Sequence, residues 1–291
     1  MNSADNPAFE SILQARLSRR NLLKAAGAGL ALSYAGSLSL LRSAAAQSGG
    51  FVPVTALKED RLALPPGYAH NVLVRWGDPL ASGVPALDPM AQTGARQAQQ
   101  FGYNCDYAAF MPLPLGSASS SRGLLVVNNE SVHPEMMWPG WDGRAASKTT
   151  EMVEVEMAAV GLSIVEVTRG SRGEWSYVRD STLNRRIHAA TPTAIRGPAA
   201  GHPLMQTSGS LGHAVLGTLN NCAGGVTPWG TVLSGEENIQ NWFAGSLQSV
   251  ADPALRAMHQ RYGLPAGRLG WERFHERFDI TKEPNEPNRF G

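Results

Sequence analysis

Residues Asn220–Asn238 read NNCAGGVTPWGTVLSGEEN. Gly224 and Gly225 follow Cys222 closely, and glycine lets backbone come near a neighbour where a side chain would not fit. The apolar, β-branched run over 226–233, with Pro228 near its start, predicts a strand, which delivers Glu236, Glu237 and Asn238 at its end. If Thr231–Ser234 is extended, the two adjacent carboxylates point to opposite sides. One of Glu236 and Glu237 then faces a site while the other supports it. A thiolate beside carboxylates is a ligand set compatible with iron or zinc. The alternative for Cys222 is a small buried hydrophobe.

Outward from this stretch, the chain alternates short strand patterns with turns. Strands are predicted over 71–76, 107–113, 123–128 and 162–168, with a hairpin partner over 175–179 after the Gly170–Gly173 turn. Helices are predicted over 147–160 and 252–260. Residues 47–65 read as a polar lead-in, and 77–100 and 189–212 as loops. Across 291 residues there are 31 glycines and 19 prolines, which favours a mainly β, loop-rich chain over a helical bundle. Short strands joined by turns suit a propeller or a sandwich.

Two further segments carry candidate chemistry. Phe101–Tyr107 (FGYNCDY) precedes a strand, and Asn128-Asn129-Glu130 ends one. Oxygen ligands of this kind suit a hard cation such as calcium, and solvated turns are the alternative. Glu283–Asn288 (EPNEPN) places two carboxylates between prolines, readable as ligands or as a solvated linker. Cys105 and Cys222 are the chain's two cysteines, and in an oxidising compartment a bridge between them is open.

The amino terminus carries an export pattern. Ser18–Lys24 (SRRNLLK) holds the pair Arg19 and Arg20, a diluted apolar stretch follows to Leu41, and Ala44-Ala45-Ala46 precede Gln47. That order of basic, apolar and small-residue regions is that of a cleaved signal, and the arginine pair resembles the twin-arginine type. Residues 1–46 are therefore expected to be a twin-arginine signal peptide, with the translocase as export partner and a periplasmic or secreted destination. The apolar run is shorter than a bilayer span needs, so no stable membrane anchor is expected.

Formal net charge is +1, which gives no electrostatic argument for nucleic acid. No HExxH, GxSxG, phosphate-cradling GxxxxGK[ST] or strand-linked GxGxxG occurs. Zincin, serine hydrolase, P-loop and dinucleotide readings therefore lack support.

FGYN-x-D at Phe101–Asp106, RGLLVVNNE at Arg122–Glu130, Pro134-Glu135, NCAGGVTPWGTVLSGEEN at Asn221–Asn238 and KEPNEPNRFG at Lys282–Gly291 together resemble the PhoX-type alkaline phosphatases. The resemblance covers most of 51–291, so residues 47–291 are expected to form the amino-terminal part of such a domain. It implies a six-bladed β-propeller, here an incomplete part of one, with iron and calcium ions at one mouth of its channel. It implies a metal-dependent phosphomonoesterase, a phosphoric monoester hydrolase acting on small phosphate esters in the periplasm.

By the same resemblance Cys222 is the thiolate ligand to iron, and Glu130 and Glu237 are carboxylate ligands. Glu236 is a weaker candidate, followed by Asp106, Glu156 and Glu286. Cys105 departs from the pattern, which has an amide or acid there. Family members are much longer, and the carboxylates, arginine and lysine of the later blades are absent. The chain as written is thus expected to be truncated and inactive alone. Other readings on such a scaffold are a non-catalytic calcium-binding propeller and a lactonase or phosphotriesterase.

Overall fold

The computed structural model describes residues 52–208 and 213–290. The signal-peptide expectation falls outside the described residues. The chain divides into two units, 1–71 and 72–291. In the first, residues 52–71 are largely exposed and hold a bend and a turn but no helix or strand.

The second unit runs, in chain order, through α1 (Gly94–Gln97), β1 (Cys105–Pro112), β2 (Arg122–Asn129), α2 (Pro134–Met137), α3 (Thr150–Ala159), β3 (Gly161–Arg169), β4 (Trp175–Tyr177), β5 (Arg185–Ile187), β6 (Pro192–Ala194), β7 (Ala214–Leu216), β8 (Asn221–Val226), β9 (Val232–Glu236) and α4 (Pro253–Arg261). The fold is mainly β with few short helices, as the turn-rich composition suggested.

Several expectations are corrected, among them the loops read over 77–100 and 189–212, which hold α1 and β6. Residues 71–76 pair with no strand; Leu73 and Val74 pack on the Phe101 cluster instead, so the run's apolarity reflects burial rather than a ladder. The strand expected over 226–233 is broken: Val226 ends β8, Val232 and Leu233 open β9, and residues 227–231 are the turn of the hairpin between them. Thr227 Oγ1 and Thr231 Oγ1 bond at 2.8 Å across it, and Gly230 has φ +83°, a conformation that closes a chain reversal.

The strands form three antiparallel sheets: a five-stranded one in the order β1-β2-β3-β4, with β5 also on β3, and the ribbons β6-β7 and β8-β9. Among the described residues they form no closed ring. Strands β2 and β3 are buried on both faces. Val127, Val165 and Val167 pack under Phe101 on one side. Leu124, Val126 and Ile164 pack with Met111 on the other, where Val232 of β9 joins them. Period-two alternation thus sends Asn128 toward the β8-β9 ribbon and Asn129 toward the Phe101 face.

Helix α3 starts at Thr149, whose hydroxyl accepts from the Met152 amide, an N-cap bond that satisfies one of the helix's free donors. Its terminal carbonyls, those of Ala158, Ala159 and Val160, accept from Nη2 of Arg186 at 2.8–3.1 Å. The largest core cluster surrounds this helix and is rich in aromatic rings, with Trp242 and Trp271 at 4.5 Å between centroids and Trp271 and Phe278 at 5.1 Å.

His188 lies half-buried just after β5. Burial, and then the neighbouring Arg186 charge, pull its pKa down to about 4. Its Nδ1 accepts from the Ala190 amide at 3.3 Å, a bond only the neutral ring can make. A histidine whose folded pKa is depressed takes up a proton more readily when unfolded. Stability is therefore full above about 6.5 and falls as pH drops toward 4. With solvent screening discounted, we expect about 1 kcal/mol less stability at pH 5 than at pH 7 from this group. Denaturant titrations at the two pH values check it. The His188→Gln variant is expected to lose that part of the slope, and an unchanged slope would refute the assignment.

Candidate metal centre

Each candidate ligand stands at the end of a strand, and two of them sit beside an irregularity that turns them out of the ladder. Asp106 is the second residue of β1, where pairing with β2 shifts between Cys105 and Ala108. Cys222 is the second residue of β8, where the register shifts between Asn221 and Gly224. Such bulges re-aim side chains and are common next to sites. Glu130 directly follows β2, and Glu237 directly follows β9. Asn104, Asn220 and Asn238 flank these positions with φ of 55°, 50° and 49°, left-handed conformations that asparagine tolerates better than most residues.

Hydrogen bonds tie the ends together. The Glu130 amide donates to the Asn104 carbonyl at 2.9 Å, and the Glu237 amide to the Asn220 carbonyl at 3.1 Å. Asn220 Nδ2 reaches Glu130 Oε1 at 3.4 Å, while Trp242 Nε1 donates to Asn220 Oδ1 at 3.0 Å. Gly224 lies against the Tyr107 ring, which would stand 2.3 Å from an added Cβ. The glycine is what lets β8 approach β1.

The result is a cluster in which ligand atoms of Asp106, Glu130 and Cys222 lie within 4.8 Å of one another. Three donors so spaced can all reach one cation at the roughly 2.3–2.6 Å of metal–sulfur and calcium–oxygen bonds. The electrostatics point the same way. Burial, then the charges of Asp106 and Glu237, raise the Glu130 pKa. The Cys222 thiol is pushed up to about 12, first by its hydrogen bond to Asp106, then by burial and by the Asp106, Glu237 and Glu130 charges. A cation relieves this repulsion and deprotonates a coordinating thiol outright.

Of the sequence-derived candidates, Asp106, Glu130 and Cys222 come together, and the Glu237 charge acts on two of them. Glu236 is turned to the other side of the strand. It accepts from the Thr218 hydroxyl and from the Leu219 amide, which is the supporting role expected of one of the pair.

The structure does not bring Glu156 or Glu286 into the cluster. Glu156 is fully buried in α3, 2.6 Å from Lys148 Nζ and 2.7 Å from Trp271 Nε1. Glu286 is held between Arg277 and Arg289 at 2.7 and 2.9 Å. Both are consumed by internal ion pairs, because a buried carboxylate needs a charged partner. Cys105 and Cys222 are free thiols. Sequence reasoning passed over Arg186 and the roles of Asn128 and Asn220. A signal was available: an asparagine stands two residues before Asp106, Glu130 and Cys222 alike.

Fold and cluster together define a β-rich protein with a candidate thiolate–carboxylate metal centre built on strand ends. The chain belongs to the alkaline phosphatase PhoX family, whose model matches residues 49–291. Among solved structures it resembles Pseudomonas fluorescens PhoX in complex with vanadate, a transition state analogue, at 42% identity and a TM-score of 0.74. The match covers 83% of this chain and 41% of that one, so the chain spans less than half the length of that relative. No curated protein matches the chain.

Proposed function

We propose that the protein is a metal-dependent phosphomonoesterase of the alkaline phosphatase type, with iron and calcium as its metals. The observation that carries this reading is the convergence of Asp106, Glu130 and Cys222 within 4.8 Å, in a chain of the PhoX family whose structural relative holds a transition-state analogue of phosphoryl transfer. We also read its three sheets as parts of propeller blades, and residues 1–46, with Arg19 and Arg20, as a twin-arginine signal for export to the periplasm.

Cys222 would hold iron, since a thiolate is the soft donor of the set. Asp106, Glu130 and Glu237 would supply oxygens that also suit calcium. Bound there, the cations would neutralise phosphate oxygens and furnish an activated nucleophile. The chain's own residues hold the donors in place. The Asn220 carbonyl fixes the Glu237 backbone, its amide steadies Glu130, and the Asn104 carbonyl fixes the Glu130 backbone. Glu237 Oε1 accepts from Asn238 Nδ2 at 2.7 Å, which limits its rotation.

Hydrolysis of an aryl phosphate by the full-length gene product, purified with its metals, is the test. Activity should collapse on dialysis against a calcium chelator and return with calcium. Full activity after chelation, or none in protein shown to carry iron and calcium, would sink the proposal. Calcium-dependent stabilisation without hydrolysis of any ester would instead mark a non-catalytic module, and preference for a lactone or triester would mark a different hydrolase.

A further inference from the structure

Behind the cluster lies a partly buried chain of polar groups, its two asparagines fully buried, in which each donor hydrogen has one acceptor to serve. Asn128, fully buried at the end of β2, donates from Nδ2 to the carbonyls of Cys222 at 2.8 Å and of Ala223 at 3.1 Å. These are the two residues of the β8 bulge. Asn128 Oδ1 accepts from Ser234 Oγ at 3.0 Å. Ser234 Oγ accepts from Asn221 Nδ2 at 2.8 Å, whose second hydrogen goes to Thr218 Oγ1 at 2.8 Å. The Thr218 hydroxyl in turn donates to Glu236.

Both amide hydrogens of Asn128 and of Asn221 are used, both hydroxyls donate onward, and the chain ends on a carboxylate. Donation runs outward from Asn221 along two arms, through Ser234 and Asn128 to the bulge carbonyls and through Thr218 to Glu236, and successive donation within each arm strengthens its bonds. The chain's far end is fixed twice, because Glu236 also accepts from the Leu219 amide at 2.9 Å. The near end grips the backbone on both sides of the Cys222–Ala223 peptide. A bulge has lost its ladder bonds there, so those carbonyls have to find partners elsewhere.

We propose that Asn128 is the positioning residue for the Cys222 sulfur, holding the bulge in the one conformation that aims the thiol at Asp106 and Glu130. The inference rests on the reading of Cys222 as a metal ligand. Outer groups that orient ligands typically govern metal affinity by about 10- to 100-fold, and Asn128 acts on the backbone of the ligand itself.

Titration of the purified metal-free protein with Co2+, followed by the sulfur-to-metal charge-transfer absorption, tests the proposal alongside a thermal melt of each variant without metal. Cys222→Ser should abolish the band. Asn128→Leu keeps the volume and Asn128→Asp the shape, but neither donates to the bulge carbonyls. Both should bind Co2+ about 10- to 100-fold more weakly and show a shifted or weakened band. Ser234→Ala frees Oδ1 of Asn128 while leaving its two donors intact, and should weaken binding severalfold, to about tenfold.

A space-filling role alone would lower the melting temperature of Asn128→Leu and leave the affinity and band of its folded fraction as in the wild type, which would overturn the proposal. If the Asn128 variants do not fold, Ser234→Ala decides, and an unchanged affinity there counts against it. A wild-type protein with no band that Cys222→Ser removes would defeat the ligand reading, and this inference with it.

Discussion

Cys222→Ser in the full-length gene product is expected to lose bound iron and to cut phosphate-ester hydrolysis by on the order of a hundredfold or more, the upper end of what losing a mere outer partner of a metal site costs. The sulfur sits in a ring of negative charge, and its proton is held by Asp106 until a cation replaces it. A serine hydroxyl keeps its proton under the same conditions and is a harder, poorer donor for a transition metal. The backbone is not the cause, because the Cys222 carbonyl stays bonded to Asn128 whatever the side chain. Folding stability without metal should therefore change by less than about 1 kcal/mol, as for a partly exposed, near-isosteric change. Metal analysis of the purified variant and its rate on an aryl phosphate check the two halves of this expectation. Wild-type iron content with wild-type rate would remove Cys222 from the centre.

Arg186→Met is expected to destabilise the second unit by about 3–5 kcal/mol, since several buried acceptors lose their donor at roughly 1–3 kcal/mol each. Arg186 is buried, and burial draws its pKa down to about 9, which still leaves it charged at neutral pH. Nη2 serves the carbonyls of Ala158, Ala159 and Val160 at the end of α3. Nη1 donates to Asn129 Oδ1 and Ser163 Oγ. The negative end of the helix dipole supplies the compensating charge. Methionine fills the space and leaves the Ala158 and Val160 carbonyls without that donor, while Ala159 keeps the Tyr103 amide at 3.0 Å; a buried group costs free energy when unpaired.

A domain is stable by only about 5–15 kcal/mol in total, so the variant should unfold at markedly lower denaturant or fail to accumulate. Arg186→Lys keeps the charge with three donors on one atom, and should recover part of the loss. A midpoint within about 1 kcal/mol of wild type would show that water replaces the guanidinium, against this account.

Which features were legible in the sequence follows from the range of the forces involved. Strands β2 and β3 and helices α3 and α4 rest on local periodicity and caps, which a sequence displays directly. Thr149 before α3 and Asp252 before α4 accept amide bonds as N-caps in the structure. The division of labour between Glu236 and Glu237 was also foreseeable, because the strand's alternation forces neighbours apart. The turn at 227–231 was harder, since its β-branched residues suit a strand and the hydrogen bonds between Thr227, Gly230 and Thr231 across it decide otherwise. Residues 71–76 carry a strand's composition but find no partner strand, and pairing is a long-range event.

The sequence by itself determined the mainly β character, the strand ends that carry Asp106, Glu130 and Glu237, and the family resemblance of its motifs, whereas the strand that starts at Asn221 and carries Cys222 came only with the structure. Tertiary structure alone decided which carboxylates meet. Glu156 and Glu286 have the same chemistry as Glu130, yet Lys148, Trp271, Arg277 and Arg289 close around them. It also set consecutive asparagines to opposite tasks, Asn128 on the cysteine bulge and Asn129 on Arg186. The reason is physical: a side chain's type fixes what it can bind, but its partners come from residues up to about a hundred positions away, brought near only when the sheets pack.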